Sequence, residues 1–376
     1  MVRSELIVEA EGLEPLTAGW DALAVAAARP YCAPAWLLAW WRHAAPPRAL
    51  LRVAVVTDDT GLIGIAPFFL GRGAGGPTLR PLGAGTCLGV EPLARAGREK
   101  EVAARLVAEL AGTRPAPAAI ALEGIGSGSP WPALLAHAWP GRGEAWTHVR
   151  ETVASPFLEL TGKSADAWNP TPGSAYRGLL RKRRRLREEG AAVRIAAGDE
   201  LPAAVHAFVQ LHEARWAARG GSGVVHAGVE SMLVDAARAM SGEGRLRLFV
   251  LDLDGETIAA AVLLAAGGEV TYWLGGFDER WRTRSPSMLL LLEALEDAIQ
   301  RGDRRFDLGA GPQSYKYEFA DRDGELCWLT IIPAGPGQLV TRARLLPGHA
   351  RRWAARTIPE QHKRRLKRML PRTLLR

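Results

Sequence analysis

Cysteine is scarce in this chain of 376 residues: Cys32, Cys87 and Cys327 lie far apart, with no Cys-x-x-Cys and no Cys/His pairing. This spacing argues against a disulfide framework and against a structural zinc site, so no metal is expected. Long apolar runs are also missing, since stretches such as 258–266 fall well short of the ~18 residues that a membrane-spanning helix needs. The N-terminus carries Glu5 and no apolar h-region, so a signal peptide is not expected. These absences predict a cytoplasmic protein.

Common catalytic signatures are missing too. The sequence contains no Gly-x-Ser-x-Gly and no His-Glu-x-x-His, so hydrolase and metalloprotease functions lack support. What is present is a globular balance of 48% apolar and 23% charged residues. The length predicts two domains of about 150–180 residues each.

The net charge of +8 is concentrated in two segments. Seven Lys/Arg and no acid lie between Arg177 and Arg187, and twelve Lys/Arg with one acid lie between Gln338 and Arg376. The remainder has 29 bases and 39 acids, so the positive charge is local. Such segments attract phosphates, nucleic acid or anionic lipid, and the alternative is a solvated helix face.

A degenerate pattern occurs twice along the chain. Each copy contains a helical stretch, two strand-like runs joined by an Asp/Gly turn, a second helix and a short strand. The segments of the first copy are 36–41, 52–61, 62–70, 99–110 and 118–122. Those of the second copy are 201–219, 246–252, 257–264, 286–301 and 305–308, with an additional strand at 269–274. The pattern predicts two mixed α/β units, placed at 1–160 and 174–335, followed by a basic amphipathic tail at 336–376. The Pro/Gly/Ser-rich stretch 161–173 is the predicted connection.

The segment 271–287 combines the end of a strand, Gly275-Gly276, several arginines and a predicted helix start at Pro286. Ser285 is a suitable N-cap, and proline fits the first turn of a helix. Free backbone N–H groups beside arginines form a diphosphate site. An ordinary capped helix after a loop is the alternative.

The spacing Arg282-x-x-Ser285-x-Ser287 resembles the loop with which GNAT acyltransferases hold the diphosphate of coenzyme A, with serine in place of both glycines. A longer ordered series resembles the CelD-type (cellulose-biosynthesis) acetyltransferase family, which is GNAT-like and similar in layout to the two-unit Fem-type aminoacyltransferases. The segments of this series are Trp36–Trp41, Leu62–Phe69, Arg181–Gly190, Leu211–Trp216, Ser285-Pro286, Gly302–Gly309 and Tyr315–Phe319.

The resemblance implies two tandem GNAT-like units with an acyl-CoA site in the second, between the strand at 269–274 and the helix at 286–301. The residues then expected at the donor are Gly275, Gly276, Arg282, Arg284, Ser285 and Ser287. Gly275 and Gly276 would mark a bulge or a splay into which a pantetheine arm inserts.

The chemistry of acyl transfer requires a base for the nucleophile and a cation or acid near the thioester. The cluster from Asp307 to Glu318 follows the strand after the predicted binding helix. By resemblance to the Fem-type layout, Lys316 is the expected cation, Tyr315 or Tyr317 the acid, and Asp307 or Glu318 the base. The alternation from Tyr315 to Phe319 equally fits one face of a half-buried strand.

His212, Arg215 and Trp216 share one face of the helix at 201–219 by their spacing. This stripe is a candidate for acceptor binding, with Arg215 on an anionic group. Packing of Trp216 under a sheet is an equal alternative.

The sequence therefore predicts an acyltransferase that moves an acyl group from acyl-CoA to an amine or hydroxyl of a sugar or cell-envelope polysaccharide precursor. Its basic tail, with scattered Leu and Trp, fits a helix lying on anionic lipid at the inner face of the membrane. One alternative is a Fem-like enzyme that takes its donor from tRNA and binds RNA through the basic helix. The other is a catalytically silent partner of a polysaccharide synthase.

Overall fold

The structure is a computed structural model that describes residues 1–141, 143–163, 174–217, 220–335 and 337–345. Most of the predicted connection at 161–173 and of the predicted basic tail lies outside these residues. None of the described helices is long and apolar enough to cross a membrane.

The described residues form strands and helices in a mixed α/β order. The strands are β1 (Arg3–Ile7), β2 (Leu50–Asp58), β3 (Gly61–Gly73), β4 (Gly76–Pro81), β5 (Leu93–Ala94), β6 (Ala119–Gly126), β7 (Trp146–Glu159), β8 (Ala192–Ile195), β9 (Leu246–Leu253), β10 (Glu256–Ala266), β11 (Glu269–Phe277), β12 (Arg305–Asp307) and β13 (Arg322–Ile332). The α-helices are α1 (Thr17–Ala26), α2 (Pro34–His43), α3 (Glu99–Ala111), α4 (Trp131–Ala138), α5 (Ser174–Glu188), α6 (Leu201–Ala217), α7 (Val229–Met240) and α8 (Pro286–Gln300).

The two copies of the sequence pattern fold as two units of similar topology, which confirms the predicted fold class. In the N-terminal unit, helices α1 and α2 precede the β2–β3 hairpin, and β4, α3 and β6 follow. In the C-terminal unit, α6 and α7 precede the β9–β10 hairpin, and β11, α8 and β12 follow. The pairing of β4 with β6 and that of β11 with β12 are both parallel.

One continuous sheet joins the units, in the order β1-β2-β3-β4-β6-β13-β7-β12-β11-β10-β9-β8. Its centre consists of β7 and β13, two long antiparallel strands. The last strand of the chain, β13, also pairs with β6, whereas β7 pairs with β12. Each unit therefore borrows a strand from the other half of the sequence.

The sheet carries a different core on each face. Helices α1, α2, α6 and α7 share one core, which contains Trp36, Trp40, Phe208 and Trp273 and spans both units. The opposite face is covered by α5 and α8 in the C-terminal unit and by α3 and α4 in the N-terminal unit. Along β11, Val270 therefore faces α8, and Trp273 faces the shared core.

The predicted strand at Tyr315–Phe319 is wrong. Ser314–Glu318 is a short 3-10 helix, in which Lys316 is buried and Tyr317 is exposed. Neighbouring side chains also point in different directions in a 3-10 helix. Alternation over five residues is therefore compatible with both a strand and a 3-10 helix.

Candidate active site

Strands β11 and β12 separate after only three residue pairs, which run from Glu269↔Arg305 to Thr271↔Asp307. Beyond this point β11 continues alongside β10 as far as Phe277. The chain after β12 follows β7 instead, since Leu308 N donates to Pro156 O and Gly311 N donates to Ala154 O. The two parallel strands therefore open into a gap whose sides are 272–277 and 308–311.

A bulge lies at the start of this gap. Tyr272 pairs with Leu263 and Leu274 pairs with Val262, so Trp273 is the extra residue on β11. Its indole Nε1 donates to Thr86 O at 2.8 Å, and its ring lies 5.2 Å from that of Trp36. The N-terminal unit thus fixes the point at which β11 bends.

Gly275 and Gly276 lie on the separated part of β11, two residues beyond the bulge. A Cβ on Gly276 would lie 2.6 Å from His212 N, so only glycine lets α6 approach β11 this closely. A Cβ on Gly275 would collide with the Tyr272 hydroxyl. Both glycines consequently have a packing role in addition to any contact with a ligand.

Helix α8 lies on the far side of the sheet from the shared core and begins nine residues after the end of β11. Ser285 stands at the N-cap position, but its side chain does not cap the helix, and its φ of 57° and ψ of 49° are left-handed. Its carbonyl accepts from Met288 N and Leu289 N. The expected side-chain cap is therefore wrong, because Ser285 adopts the backbone conformation that glycine usually supplies.

Two polar side chains, those of Lys182 and Ser287, are relevant to ligand binding at the start of α8. Lys182 of α5 donates from Nζ to Ser285 Oγ at 2.8 Å. Ser287 Oγ is buried and has no hydrogen-bond partner among the described residues. Pro286 has no N–H and Met288 N already donates to Ser285 O, so Ser287 N is the unused backbone donor of the first turn among the described residues.

The two arginines predicted to contact a diphosphate are paired with acids. Arg282 Nη1 lies 3.3 Å from a Glu279 carboxylate oxygen, and its side chain is 72% exposed. Arg284 Nη1 donates to both oxygens of Glu189, at 2.8 and 2.6 Å. Any contact of either arginine with a ligand would compete with these acids.

A cavity of about 540 Å³ lies between the two units on the shared-core side of the sheet. Its walls include residues of both units and both sides of the gap. The charged residues among them are Arg29, Glu91, Glu123, Glu269, Arg305, Asp307 and Glu325. Of the residues predicted from the sequence as catalytic, Asp307 lines this cavity.

Asp307 and Glu269 are two of the carboxylates that line the cavity. Asp307 Oδ1 accepts from Gly309 N at 2.7 Å and from Ser155 Oγ at 3.0 Å, and burial raises the pKa of its carboxyl. Among the described residues Glu269 makes one ion pair, with Arg305, whose Nε lies 3.6 Å from a carboxylate oxygen. Burial raises the pKa of Glu269 to about 7. Sequence analysis missed Glu269, although it begins a strand that was identified.

Lys316 lies beside the cavity rather than in its wall. Its Nζ donates to Gly309 O at 2.7 Å and to Ala310 O at 2.8 Å, and both of these residues do line the cavity. Burial lowers the pKa of Lys316 to about 8, against the opposing effect of Asp307. Lys316 therefore holds one side of the gap in place.

The predicted acids are placed differently from one another. Tyr315 is half-buried and packs on the α8 side of the sheet, where burial raises the pKa of its hydroxyl. Tyr317 is exposed and donates to the Asp323 carboxylate at 3.2 Å. The predicted base Glu318 is also exposed and does not line the cavity.

His212 connects α6 to β11. Its Nδ1 lies 3.2 Å from Gly275 O and its Nε2 lies 2.9 Å from Ser222 Oγ. Val224 N and Val225 N donate to the same Ser222 oxygen, so the hydroxyl proton points to Nε2 and His212 donates from Nδ1. Burial lowers the pKa of His212.

The other two residues of the predicted stripe lie one turn further along α6. The Arg215 guanidinium lies 5.0 Å from the centre of the Phe277 ring, at the open end of β11. The Trp216 ring is half-buried and lies 6.2 Å from that of His212. Arg215 and His212 thus lie near the gap, although neither lines the cavity.

The chain resembles known proteins both in sequence and in structure. Residues 173–317 match the family model described as acetyltransferase (GNAT) domain. A search of curated proteins gives no match. The C-terminal domain of a protein described as a lysylphosphatidylglycerol synthetase from Agrobacterium fabrum is 14% identical, with a TM-score of 0.51 over 79% of this chain and 86% of its own. FemX is 11% identical, with a TM-score of 0.55 over 82% of this chain and 93% of its own.

The matched stretch is a GNAT acetyltransferase domain, and it makes the protein an acyltransferase enzyme. The match spans α5 to Tyr317 and therefore contains the gap, the start of α8 and Lys316. A GNAT domain implies acyl-CoA as the donor. The solved structures, at these identities, show a shared fold.

Proposed function

We propose that the protein transfers an acyl group from acyl-CoA to an amine or hydroxyl of a sugar or cell-envelope precursor. One observation carries the proposal: both sides of the gap between β11 and the chain after β12 contribute to the wall of the cavity, and the chain leaves the open end of β11 for the start of α8 on the opposite face of the sheet. A donor held at α8 would pass its thioester through the gap to an acceptor in the cavity. Holding both substrates in one geometry supplies much of the rate of such a reaction.

The residues present fit the donor. The backbone N–H of Ser287 and its hydroxyl, which has no partner among the described residues, are suited to a diphosphate. The separated backbone at 272–277 and 308–311 is suited to the extended, amide-containing pantetheine arm, which would pair with it as a strand does.

The equivalent helix in the N-terminal unit does not offer the same site. Helix α3 carries Glu99 and Glu101 in its first turn, and a Glu99 oxygen accepts from Gly97 N at 3.1 Å. Carboxylates at this position would repel a diphosphate. This difference supports placing the donor in the C-terminal unit.

We assign the role of accepting the acceptor's proton to one of two carboxylates that line the cavity, Glu269 and Asp307. Glu269 is the better base, because its pKa lies near 7 and it accepts no protein hydrogen bond among the described residues, whereas Asp307 accepts two. The amine or hydroxyl loses its proton to Glu269 as it attacks the thioester carbonyl. Lys316 and Tyr315, near the gap, are assigned to the departing thiolate as cation and acid.

The basic helix α5 gives little support to the alternative of a tRNA-dependent enzyme. Arg183 donates to Glu296 of α8, Arg187 donates to Glu293, and Arg185 pairs with Glu189. Much of the charge on α5 therefore holds the helix to its own protein. Lipid binding by the tail stays a prediction, since residues 346–376 lie outside the described part.

Calorimetric titration with acetyl-CoA and longer acyl-CoAs tests the function. We expect one molecule to bind per chain, and CoA to be released when amino sugars or polyol precursors are added. Titration with tRNA over a range of salt concentrations is the comparison. Binding of tRNA with a steep salt dependence, together with no binding of any acyl-CoA, would instead favour the aminoacyl alternative.

A further inference from the structure

Most arginines in the second half of α5 are neutralised by carboxylates. Arg183 and Arg187 pair with acids of α8, while Arg184 and Arg185 pair with Glu188 and Glu189. The pairs of Arg183 with Glu296 and of Arg187 with Glu293 connect α5 to α8. Lys182 lies among them and makes no ion pair with any described carboxylate.

The position of Lys182 is electrostatically unfavourable as it stands. A helix start carries a partial positive charge, which disfavours a cation and stabilises an anion. The ammonium has three donors, yet its one acceptor among the described residues is the Ser285 hydroxyl at 2.8 Å. A cation held at this point is explained if an anion binds between it and the helix.

The side chain of Ser287 also favours an anion bound at the start of α8. The Ser287 hydroxyl, two residues after Ser285, is buried without a hydrogen-bond partner among the described residues. A buried hydroxyl without a partner is destabilising unless a ligand supplies an acceptor. The arginines nearest in sequence, Arg282 and Arg284, already contact Glu279 and Glu189.

We infer that Lys182, reaching from α5, is the cation that binds the diphosphate of the donor at the start of α8. The inference rests on the proposed function, because it requires that acyl-CoA binds there. The Ser285 hydroxyl then orients the ammonium before the donor arrives. The ion pairs of α5 with Glu293 and Glu296 act as supports that place Lys182.

The test compares Lys182→Gln with Arg184→Gln, a matched control on the same helix whose side chain is 76% exposed. Three probes are titrated: acetyl-CoA, its 3′-dephospho form and S-acetylpantetheine, which lacks the diphosphate. Loss of a charge-assisted hydrogen bond predicts about 10- to 100-fold weaker binding of the first two by Lys182→Gln. Binding of S-acetylpantetheine should not change, and Arg184→Gln should match the wild type with all three probes.

Each other outcome has a defined meaning. Equal losses for all three probes would show a structural role, and a loss confined to acetyl-CoA would place Lys182 on the 3′-phosphate; either result overturns the inference. Unchanged affinity in Lys182→Gln would overturn it as well. If the wild type binds no acyl-CoA at all, the proposed function fails first. Lys182→Arg should restore part of the affinity.

Discussion

Replacement of Glu269 by Gln is expected to lower the rate of acyl transfer by about 10²–10⁴-fold, the usual contribution of a general base. Gln keeps the size of the side chain and its contact with Arg305 but cannot accept the acceptor's proton. Binding of acyl-CoA should be unaffected, because Glu269 precedes the gap in β11. The measurement is CoA release under saturating donor, with calorimetry for affinity.

The pH dependence gives a second criterion for Glu269. Burial raises its pKa to about 7, so kcat/KM of the wild type should rise as pH increases through 7, where the carboxylate forms. This rise of kcat/KM near pH 7, the limb of the pH profile that Glu269 produces, should be absent in Glu269→Gln.

The stability of Glu269→Gln separates catalysis from folding. The folded pKa is above the ordinary value of 4.5, so the folded state holds a proton that the unfolded chain loses between about pH 4.5 and 7. Unfolding free energy contributed by this group therefore falls as pH rises through that window. Since Gln stays uncharged, the variant should melt no lower than the wild type at pH 8.

Glu243→Gln, an exposed substitution, is the control. Wild-type turnover in Glu269→Gln, with the limb near pH 7 intact, would remove Glu269 from the chemistry. The proton would then be assigned to Asp307.

Replacement of Lys316 by Ala is expected to reduce turnover by about 10²-fold and to reduce acyl-CoA affinity much less. The ammonium holds the carbonyls of Gly309 and Ala310, which form one side of the gap, and small misplacements of a reacting group are costly. Leaving both carbonyls without this donor should also lower the unfolding free energy by about 1–3 kcal/mol. Turnover is measured below the melting range of the variant.

Lys100→Ala, an exposed substitution on α3, controls for loss of a lysine. A fully active Lys316→Ala protein would exclude Lys316 from both catalysis and positioning. A variant whose affinity falls as much as its turnover would show that the gap itself has collapsed.

Hydrophobic periodicity and turn residues predicted the hairpin of each unit and the helix that follows it, because each of these elements is continuous in sequence. The hairpins β2–β3 and β9–β10 and the helices α3 and α8 lie where the Asp/Gly turns and the apolar spacing indicated. Sequence proximity could not reveal that β7 and β13 exchange between the units, since their pairing depends on residues some 170 positions apart.

The residues of the candidate site could be predicted only in part from the sequence, because some of them carry no local signal. Ser285, Ser287 and Asp307 follow local signals: a strand end, a helix start and a cluster of polar residues. Glu269 and Lys182 carry no such signal, because one is a charged residue at a strand start and the other is one base among seven. Their roles depend on burial and on a neighbour more than 30 residues away in the chain.

A crystal structure of the protein with bound CoA is the most informative measurement. We expect the diphosphate at the start of α8, within reach of Ser287 and Lys182. We also expect the pantetheine arm between 272–277 and 308–311, with the sulfur directed toward the cavity that contains Glu269. CoA bound at α3, or lying outside a gap that stays closed, would contradict the proposed function.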